Sequence, residues 1–283
     1  MTASHVLTPT EPDAARPAPG SRAPRRRFGG SAVPLQIATV VFLLVLVDVV
    51  TRSGVVGDEF PTVTATAGAL WLQVTVGEFW AAVWATTFAW LAGFAIAALL
   101  AVPTGLFIAS SRFAFRSSRL LIDFLRPIPP IAVLPLAVLV LGSGFQMKLW
   151  LVVFSTFWPI LFQTMYGAQD VDPVARDTSR AYGLNRIQQY RHIVLPSATP
   201  YIATGLRLAS TIALVVTIAT ELVVGSSGLG YRINQVRYAD DTPAMYALIL
   251  VAGLLGWAST VVFRVAERKA LFWHASQRKD LDQ

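Results

Sequence analysis

Cysteine is absent from this chain of 283 residues, and histidine is scarce. Without cysteine there can be no disulfide bond, no thiol catalysis and no thiolate metal site. The three histidines, His5, His192 and His274, lie far apart in polar segments. Metal sites need several such ligands at close spacing. We therefore predict neither a metal site nor catalytic residues in this chain.

A phosphate-binding loop is also missing, because the pattern GxxxxGK[ST] occurs nowhere in the sequence. The nearest glycine-rich run, GSSGLG at 225–230, follows an apolar stretch, and its glycines and serines are typical of a flexible turn. We expect no cofactor in the chain itself. Any step driven by ATP would need ATP and magnesium bound to a separate partner.

Charge is sparse, since only 14% of the residues are charged, 54% are hydrophobic and the mean hydropathy is +0.56. Soluble proteins average about 25% charged residues. Crossing a hydrocarbon core of about 30 Å takes about 20 apolar helical residues. Stretches of this kind occur at 33–51, 84–109, 119–141, 149–168, 200–223 and 244–265. The sequence predicts an all-α membrane protein with six transmembrane helices.

The basic residues are distributed unequally between the two sides of these spans. With a cytoplasmic N-terminus, seventeen of the 23 Lys and Arg residues fall on the cytoplasmic side and four on the outer side. Basic residues in short loops favour the cytoplasm. We predict a multi-pass protein of the cell (inner or plasma) membrane with both termini inside. The net charge of +7 then reflects topology, and no nucleic-acid partner is expected.

Composition divides the chain into four parts. Residues 1–32 are rich in Pro, Ala and Arg and predict a disordered cytoplasmic tail. Residues 33–78 would form the first transmembrane helix and an outer loop. Residues 79–268 would form the main transmembrane domain with a cytoplasmic loop at 170–196, and residues 269–283 would form a C-terminal cytoplasmic tail.

The polar segment 172–196 predicts two short surface helices. Asp172 can cap a helix that begins at Pro173, and Gly183 can end it. Asn185 and Gln188 have the spacing of a capping box for a second helix. That helix should stop at Leu195, because Pro196 disfavours the α conformation in the residue before it.

Prolines interrupt the third apolar stretch, at Pro127, Pro129 and Pro130. Each proline inside a helix removes a hydrogen bond, and irregular backbone at membrane depth survives only inside protein or beside a wet cavity. One interpretation is a broken span, a feature of transport sites. The other is a span that begins at Pro127, preceded by an interfacial helix over 113–126 with Arg126 reaching the head groups.

Five charged residues fall within the predicted spans, and such residues are functional candidates: Asp48, Asp123, Arg126, Arg207 and Glu221. Glu221 would lie about 31 Å along a helix that begins at Pro200, near the outer mouth, either as a functional acid or as one wetted at the interface. For Arg207, near the inner start of the same helix, we expect a side chain that snorkels to the surface.

The polar segment also resembles the cytoplasmic signature EAA-x3-G-x9-I-x-LP of ABC importer permeases. The matching residues are Asp177, Thr178, Ser179, Gly183, Ile193, Leu195 and Pro196. Asp-Thr-Ser replaces the usual Glu-Ala-Ala, which keeps the acid and the small size. Residues 125–135 (LRPIPPIAVLP), 205–208 (GLRL), Glu221 and 225–230 are similar to the nitrate, sulfonate and taurine branch. The chain is thus identified as a member of the binding-protein-dependent type I importer permeases.

This resemblance implies a transport subunit and not an enzyme. The segment 172–196 would couple the chain to a cytoplasmic ABC ATPase that hydrolyses ATP. Further partners would be an extracytoplasmic solute-binding protein, a second copy of the permease and membrane lipid. The substrate would be a small anion such as sulfonate, taurine or nitrate. Alternatives are a vitamin or pyrimidine precursor, or an ion-coupled secondary carrier with Asp48, Asp123 and Glu221 as proton sites.

The hypothesis for the pathway places it between the third, fourth and fifth spans of two copies. Its candidate residues are Arg126, Pro127, Pro130, Thr156, Gln163 and Glu221.

Overall fold

Residues 32–55, 57, 59–225 and 227–270 are described by a computed structural model of the chain. They are mostly helical and contain no strand. The chain divides into two units, residues 1–44 and 45–283, with the boundary inside the first helix. The predictions for residues 1–31 and 271–283, which make up nearly all of the two tails, lie outside the described residues.

Eleven helices are found in the described residues. They are α1 (Ala32–Arg52), α2 (Val63–Val74), α3 (Gly77–Ala109), α4 (Arg112–Leu125), α5 (Pro130–Leu141), α6 (Phe145–Gln169), α7 (Pro173–Ala181), α8 (Arg186–Gln189), α9 (Leu195–Val224), α10 (Leu229–Tyr238) and α11 (Thr242–Ala270). A π-helical turn (Tyr190–Val194) joins α8 to α9. Five helical stretches are long and apolar enough to cross a membrane, and the bent pair α4–α5 would make six.

Helices α3, α6 and α9 pack directly against one another through glycines. A Cβ added at Gly93 of α3 would lie 2.6 Å from Cγ1 of Val152 on α6. One added at Gly205 of α9 would lie 2.8 Å from Cβ of Gln163 on α6. Small residues allow membrane helices to approach closely, and packing is a main force between helices in lipid. The close packing at the centre of the domain therefore depends on glycines, because any larger residue at these positions would collide with the neighbouring helix.

Substitution of Gly93 by alanine should lower the melting temperature of the purified protein. The new methyl group must displace Val152, which is fully buried, and overpacking a core costs about 1–3 kcal/mol. Gly253→Ala on α11 is the matched control, because nothing lies within 4 Å of a Cβ added there. Equal melting temperatures for wild type and Gly93→Ala in detergent would contradict this packing.

The predicted third span, 119–141, is not one helix. Helix α4 ends at Leu125, and α5 begins at Pro130 after a bend of 86°. Pro129 is extended (φ −65°, ψ 127°), since successive prolines remove the donors that a continuous helix would need. The break that both interpretations require is confirmed, and the choice between one broken span and an interfacial helix followed by a span stays a prediction. By itself α5 is short for a span, because its 12 residues extend only about 18 Å.

Two short helices were not predicted. The expected outer loop within 33–78 contains α2, whose first turn is capped by Thr62, which accepts a hydrogen bond from the Ala65 amide at 3.1 Å. Helix α10 begins within the glycine-rich run, at Leu229, and its Leu229 and Ile233 pack with Phe79 and Leu248 in one apolar cluster. Short helices gain most of their stability from such packing, which local sequence patterns do not reveal.

Candidate functional site

The first helix of the polar segment, α7, has the predicted boundaries. Its N-terminal cap is Asp172, whose carboxylate accepts a hydrogen bond from the Val174 amide at 2.8 Å. At the other end Gly183 has φ +73°. The Leu184 amide donates to the Ser179 carbonyl at 3.1 Å, and the Gly183 amide donates to the Arg180 carbonyl at 2.9 Å. This is the Schellman arrangement, which reverses the chain sharply after α7.

The second helix begins as predicted but does not stop at Leu195. Asn185 and Gln188 exchange two hydrogen bonds of 2.9 Å, which form the capping box. The π-helical turn then runs directly into α9, and the Leu195 amide donates to the Tyr190 carbonyl five residues earlier. This wider turn leaves Pro196 in the first turn of α9, where its missing N–H causes little loss. The second helix and the fifth span are therefore continuous.

The polar segment is anchored to the helix bundle at its C-terminal half. The Tyr190 hydroxyl donates to the Leu106 carbonyl of α3 at 2.9 Å. Val194 and half-buried Ile193 pack in one cluster with Ala168 at the end of α6. A displacement of this segment would therefore reach α3, α6 and α9 directly.

The rest of the segment presents an outward surface. Val174, Tyr182 and Ile187 are 70%, 80% and 79% exposed, an unusual exposure for apolar side chains on a polar segment. The signature residues Asp177, Thr178, Leu195 and Pro196 are exposed too, whereas Ser179 is buried. The Ser179 hydroxyl donates to the Arg176 carbonyl at 2.7 Å.

A cavity of about 330 Å³ opens beside the proline break, between the α4–α5 link, α6 and α9. Arg126, Pro130 and Gln163 of the predicted pathway line it. The Arg126 guanidinium lies 4.8 Å from the centre of the Phe162 ring, a cation–π distance. Trp158 also lines the cavity, and its indole nitrogen is buried without a hydrogen-bond partner among the described residues. The cavity thus offers a cation, whereas the buried indole N–H is not accessible from it.

The other three pathway candidates lie outside this cavity. Pro127 is in the link between α4 and α5. Thr156 is buried, and its hydroxyl donates to the Val152 carbonyl of its own helix at 2.6 Å. Glu221 is buried in an ion pair. Pro127 is next to Arg126 without lining the cavity, whereas Thr156 and Glu221 are not brought together with Arg126 and Gln163, and the role of all three in a pathway stays a prediction.

The ion pair of Glu221 joins four helices, α3, α6, α9 and the start of α10. The ammonium nitrogen of Lys148 lies 3.2 Å from Oε1 of Glu221, and both side chains are almost completely buried. Oε2 of Glu221 accepts from the Thr86 hydroxyl at 2.8 Å and from the Gly230 amide at 3.1 Å. Buried charges are costly unless they are paired and hydrogen-bonded, and here both conditions are met.

The loop after α9 packs tightly against the ion pair of Lys148 and Glu221. The ammonium group of Lys148 donates to the carbonyl and hydroxyl oxygens of Ser227, both at 3.0 Å. A Cβ at Gly228 would collide with the Glu221 carboxylate, and one at Gly230 would lie 2.7 Å from its Cβ. The glycine-rich run is thus a packed connection, where the sequence predicted a flexible turn.

Lys148 is not among the predicted site residues, because it lies just before the predicted span at 149–168. In the structure it lies in the first turn of α6, because that helix begins at Phe145, four residues before the predicted start. The glycines at 142 and 144 mark the end of α5 and the start of α6. They could have revealed that Lys148 belongs to the helix.

Arg207 also forms an ion pair. Its guanidinium contacts the Glu267 carboxylate of α11 at 2.9 Å, so the side chain joins two helices, an ion pair that the sequence did not predict. The pairing could not be read from the sequence, because 60 residues separate Arg207 and Glu267.

The helical bundle with broken helices, an internal cavity and an anchored polar segment defines a membrane transport subunit. Residues 101–270 match the family described as binding-protein-dependent transport system inner membrane component. This match covers more than half of the chain, and the chain belongs to that family. It is a permease subunit of an ABC importer, a multi-pass inner-membrane component, and the family consists of transport components, not enzymes.

Several relatives are similar over much of the chain. The putative aliphatic sulfonates transport permease protein SsuC of Escherichia coli is 30% identical over 76% of this chain and 81% of that protein. The nitrate import permease protein NrtB of Synechocystis is 30% identical over 58% of this chain and 60% of that protein. The riboflavin transport system permease protein RibX of Chloroflexus aurantiacus is 29% identical over 89% and 94%.

Solved structures share the fold. A chain of the MetNI methionine ABC transporter, in an inward-facing conformation, has a TM-score of 0.56 at 19% identity over 71% of this chain and 96% of its own. A chain of a bacterial ABC transporter involved in the import of the acidic polysaccharide alginate has a TM-score of 0.58 at 12% identity over 84% and 99%. The predicted fold class, a type I ABC importer transmembrane domain, is confirmed.

Proposed function

We propose that two copies of this chain form the translocation pathway of an ATP-driven importer for small organic or inorganic anions. The segment 172–196 docks on a cytoplasmic ABC ATPase, which binds ATP and magnesium. A solute-binding protein delivers the substrate on the other side, and both termini face the cytoplasm. The anchored polar segment is the observation that carries this proposal.

The segment has the two properties that coupling requires. Its outward surface bears exposed Val174, Tyr182 and Ile187, which a partner groove can bury. Its other side is tied to α3 by the hydrogen bond from Tyr190 to the Leu106 carbonyl. Since α8 continues through the π-helical turn into α9, ATP-driven motion of the segment would tilt α9 without an intervening flexible link.

The cavity beside the proline break supports an anionic substrate. Arg126 supplies a charge without a carboxylate within ion-pair distance in the described part of the chain. Gln163 lies in the same wall and supplies an amide. Donors that converge on an otherwise apolar pocket fix the orientation of a small ligand. Sulfonate, taurine and nitrate each offer oxygen acceptors for such donors.

A vitamin or pyrimidine precursor is the second candidate substrate. The similarity to the riboflavin permease extends over 89% of this chain, and the cavity walls include the aromatic rings of Phe154, Trp158 and Phe162. Offset stacking on such rings favours a planar heterocycle.

An ion-coupled carrier is disfavoured by the partners of its three candidate acids. Asp48 contacts Arg52 at 2.7 Å, Asp123 lies 3.7 Å from Arg119, and Glu221 contacts Lys148 at 3.2 Å. A proton relay needs ionisable groups that contact one another, whereas these three acids lie on α1, α4 and α9, and each contacts a different cation.

Uptake into proteoliposomes tests the proposed function. We expect uptake of a sulfonate only when the permease, its ATPase, its binding protein and ATP are all present. Arg126→Gln should reduce the rate by about tenfold, because one charge-assisted hydrogen bond contributes about 1.5–3 kcal/mol.

Arg116→Gln is the control for this experiment, since it removes the same charge from exposed α4 away from the cavity. Uptake by the isolated chain under a pH gradient would refute the importer mechanism. Equal loss in both variants would refute the role of the cavity.

A further inference from the structure

A second concave site lies between the polar segment and the ends of α3 and α6. It is a groove of about 530 Å³, and three arginines line it: Arg176 and Arg180 from α7 and Arg186 from α8. We call it the arginine groove. It is distinct from the cavity beside the proline break, with which it shares no lining residue.

The charges in the arginine groove are not neutralised by the protein. No acidic residue lines it. Among the described residues, Arg176 and Arg186 have no carboxylate within 4.0 Å, and Arg180 has only Asp177, at 3.4 Å in an exposed contact. Exposed pairs of this kind contribute little. Three arginines of like charge line one space, so an anion with several oxygen atoms would stabilise the arrangement.

The uncharged polar groups of the groove already have partners within the protein. The Gln189 amide donates to the Leu184 carbonyl at 2.8 Å, and the Tyr190 hydroxyl donates to the Leu106 carbonyl. The Ser110 hydroxyl donates to the Phe107 carbonyl at 2.7 Å. The free donors are therefore the guanidinium groups. Their planar fork matches the oxygen atoms of a phosphate group.

The position of the groove along the helices indicates which phosphate it can reach. Its lining includes Ala109 and Ala168, which lie at or next to the ends of α3 and α6. The 33 residues of α3 extend about 50 Å, enough to pass a hydrocarbon core of about 30 Å and to end among the head groups. Small apolar residues beside three arginines suit the region where a lipid phosphate meets its glycerol.

We propose that the arginine groove binds the phosphate of an anionic phospholipid and holds it between the polar segment and the bundle. The lipid would bridge α7 and α8 to the ends of α3 and α6. It would thereby stiffen the connection between the outward surface and the spans. This site does not depend on which substrate the importer carries.

Native mass spectrometry of the full-length permease tests the proposal. The protein is extracted from nanodiscs that contain phosphatidylglycerol and phosphatidylcholine, and retained lipids are counted per chain. We expect wild type to retain one phosphatidylglycerol. The double variant Arg176→Gln, Arg186→Gln should bind it about tenfold more weakly or worse, because charge-assisted contacts to phosphate are lost.

The control removes two arginines outside the groove, Arg116→Gln with Arg119→Gln on α4. It has the same net charge as the test variant, so equal lipid loss in both would overturn the proposal in favour of general electrostatics. Arg186→Gln alone replaces the double variant if the latter does not fold.

Two further results would also overturn the proposal. Competition by inorganic phosphate alone, with no preference for phosphatidylglycerol, would identify free phosphate as the ligand. Release of the lipid when the ATPase binds would show that no lipid occupies the groove in the assembled importer.

Discussion

Replacement of Lys148 by methionine should destabilise the permease by about 3–5 kcal/mol, the usual cost of removing one partner from a buried ion pair. Glu221 would keep two hydrogen bonds, from Thr86 and Gly230, but would lose the cation at 3.2 Å. The Ser227 carbonyl and hydroxyl would lose a donor as well. Thermal unfolding of the purified protein in detergent measures the effect.

The double variant Lys148→Met, Glu221→Gln separates charge from packing. Glutamine keeps an oxygen that can accept from Thr86 and Gly230, and no buried charge remains. We expect the double variant to recover much of the lost stability, since replacing both members of a buried pair is often nearly neutral. A double variant that is as unstable as the sum of the two single variants would show that the pair does not interact as described.

Substitution of Gly183 by valine should abolish most ATP-driven uptake while the protein still folds. Gly183 has φ +73°, and nothing lies within 4 Å of an added Cβ. The penalty is therefore in the backbone, about 1–2 kcal/mol for a left-handed residue and more for a β-branched one. The chain would relieve this backbone strain by changing the angle between α7 and α8. Uptake and ATPase binding by the reconstituted complex measure the effect.

Two control variants test whether the effect of Gly183→Val comes from the left-handed backbone of the turn after α7. Gly183→Asn should retain most uptake, since asparagine tolerates the left-handed conformation. Gly54→Val places the same residue at another open position with φ +70°, outside the polar segment, and should leave ATPase binding unchanged. If Gly183→Val transported at the wild-type rate, the turn after α7 would not determine coupling.

The predicted features that the structure confirms depend on local interactions. The caps at Asp172 and Asn185 and the turn at Gly183 each involve residues at most five positions apart. Spans were recognised because each is apolar over about 20 residues. Where local rules compete, the prediction was wrong. The helix was predicted to stop at Leu195, because proline disfavours the α conformation in the residue before it. In the structure a π-helical turn continues the helix past Leu195, and no sequence pattern predicts that turn.

Features that join distant residues could not be predicted. Lys148 and Glu221 are 73 residues apart, and Arg207 and Glu267 are 60 apart. In each case the sequence shows two charges in or near apolar stretches, and many pairings are possible. The arginine groove likewise combines the ends of α3 and α6 with α7 and α8, and no motif marks it.

The sequence by itself determined that this protein is a helical membrane component, where its polar segment lies and how that segment is capped. Hydropathy and capping act within one helix or one turn, so a linear pattern suffices for them. Tertiary structure alone decided that the glycine-rich run closes over a buried ion pair, that Arg126 lines a cavity, and that three arginines share one groove. Those outcomes depend on which helix faces are brought within a few ångströms of each other, and packing between helices distant in sequence selects those faces.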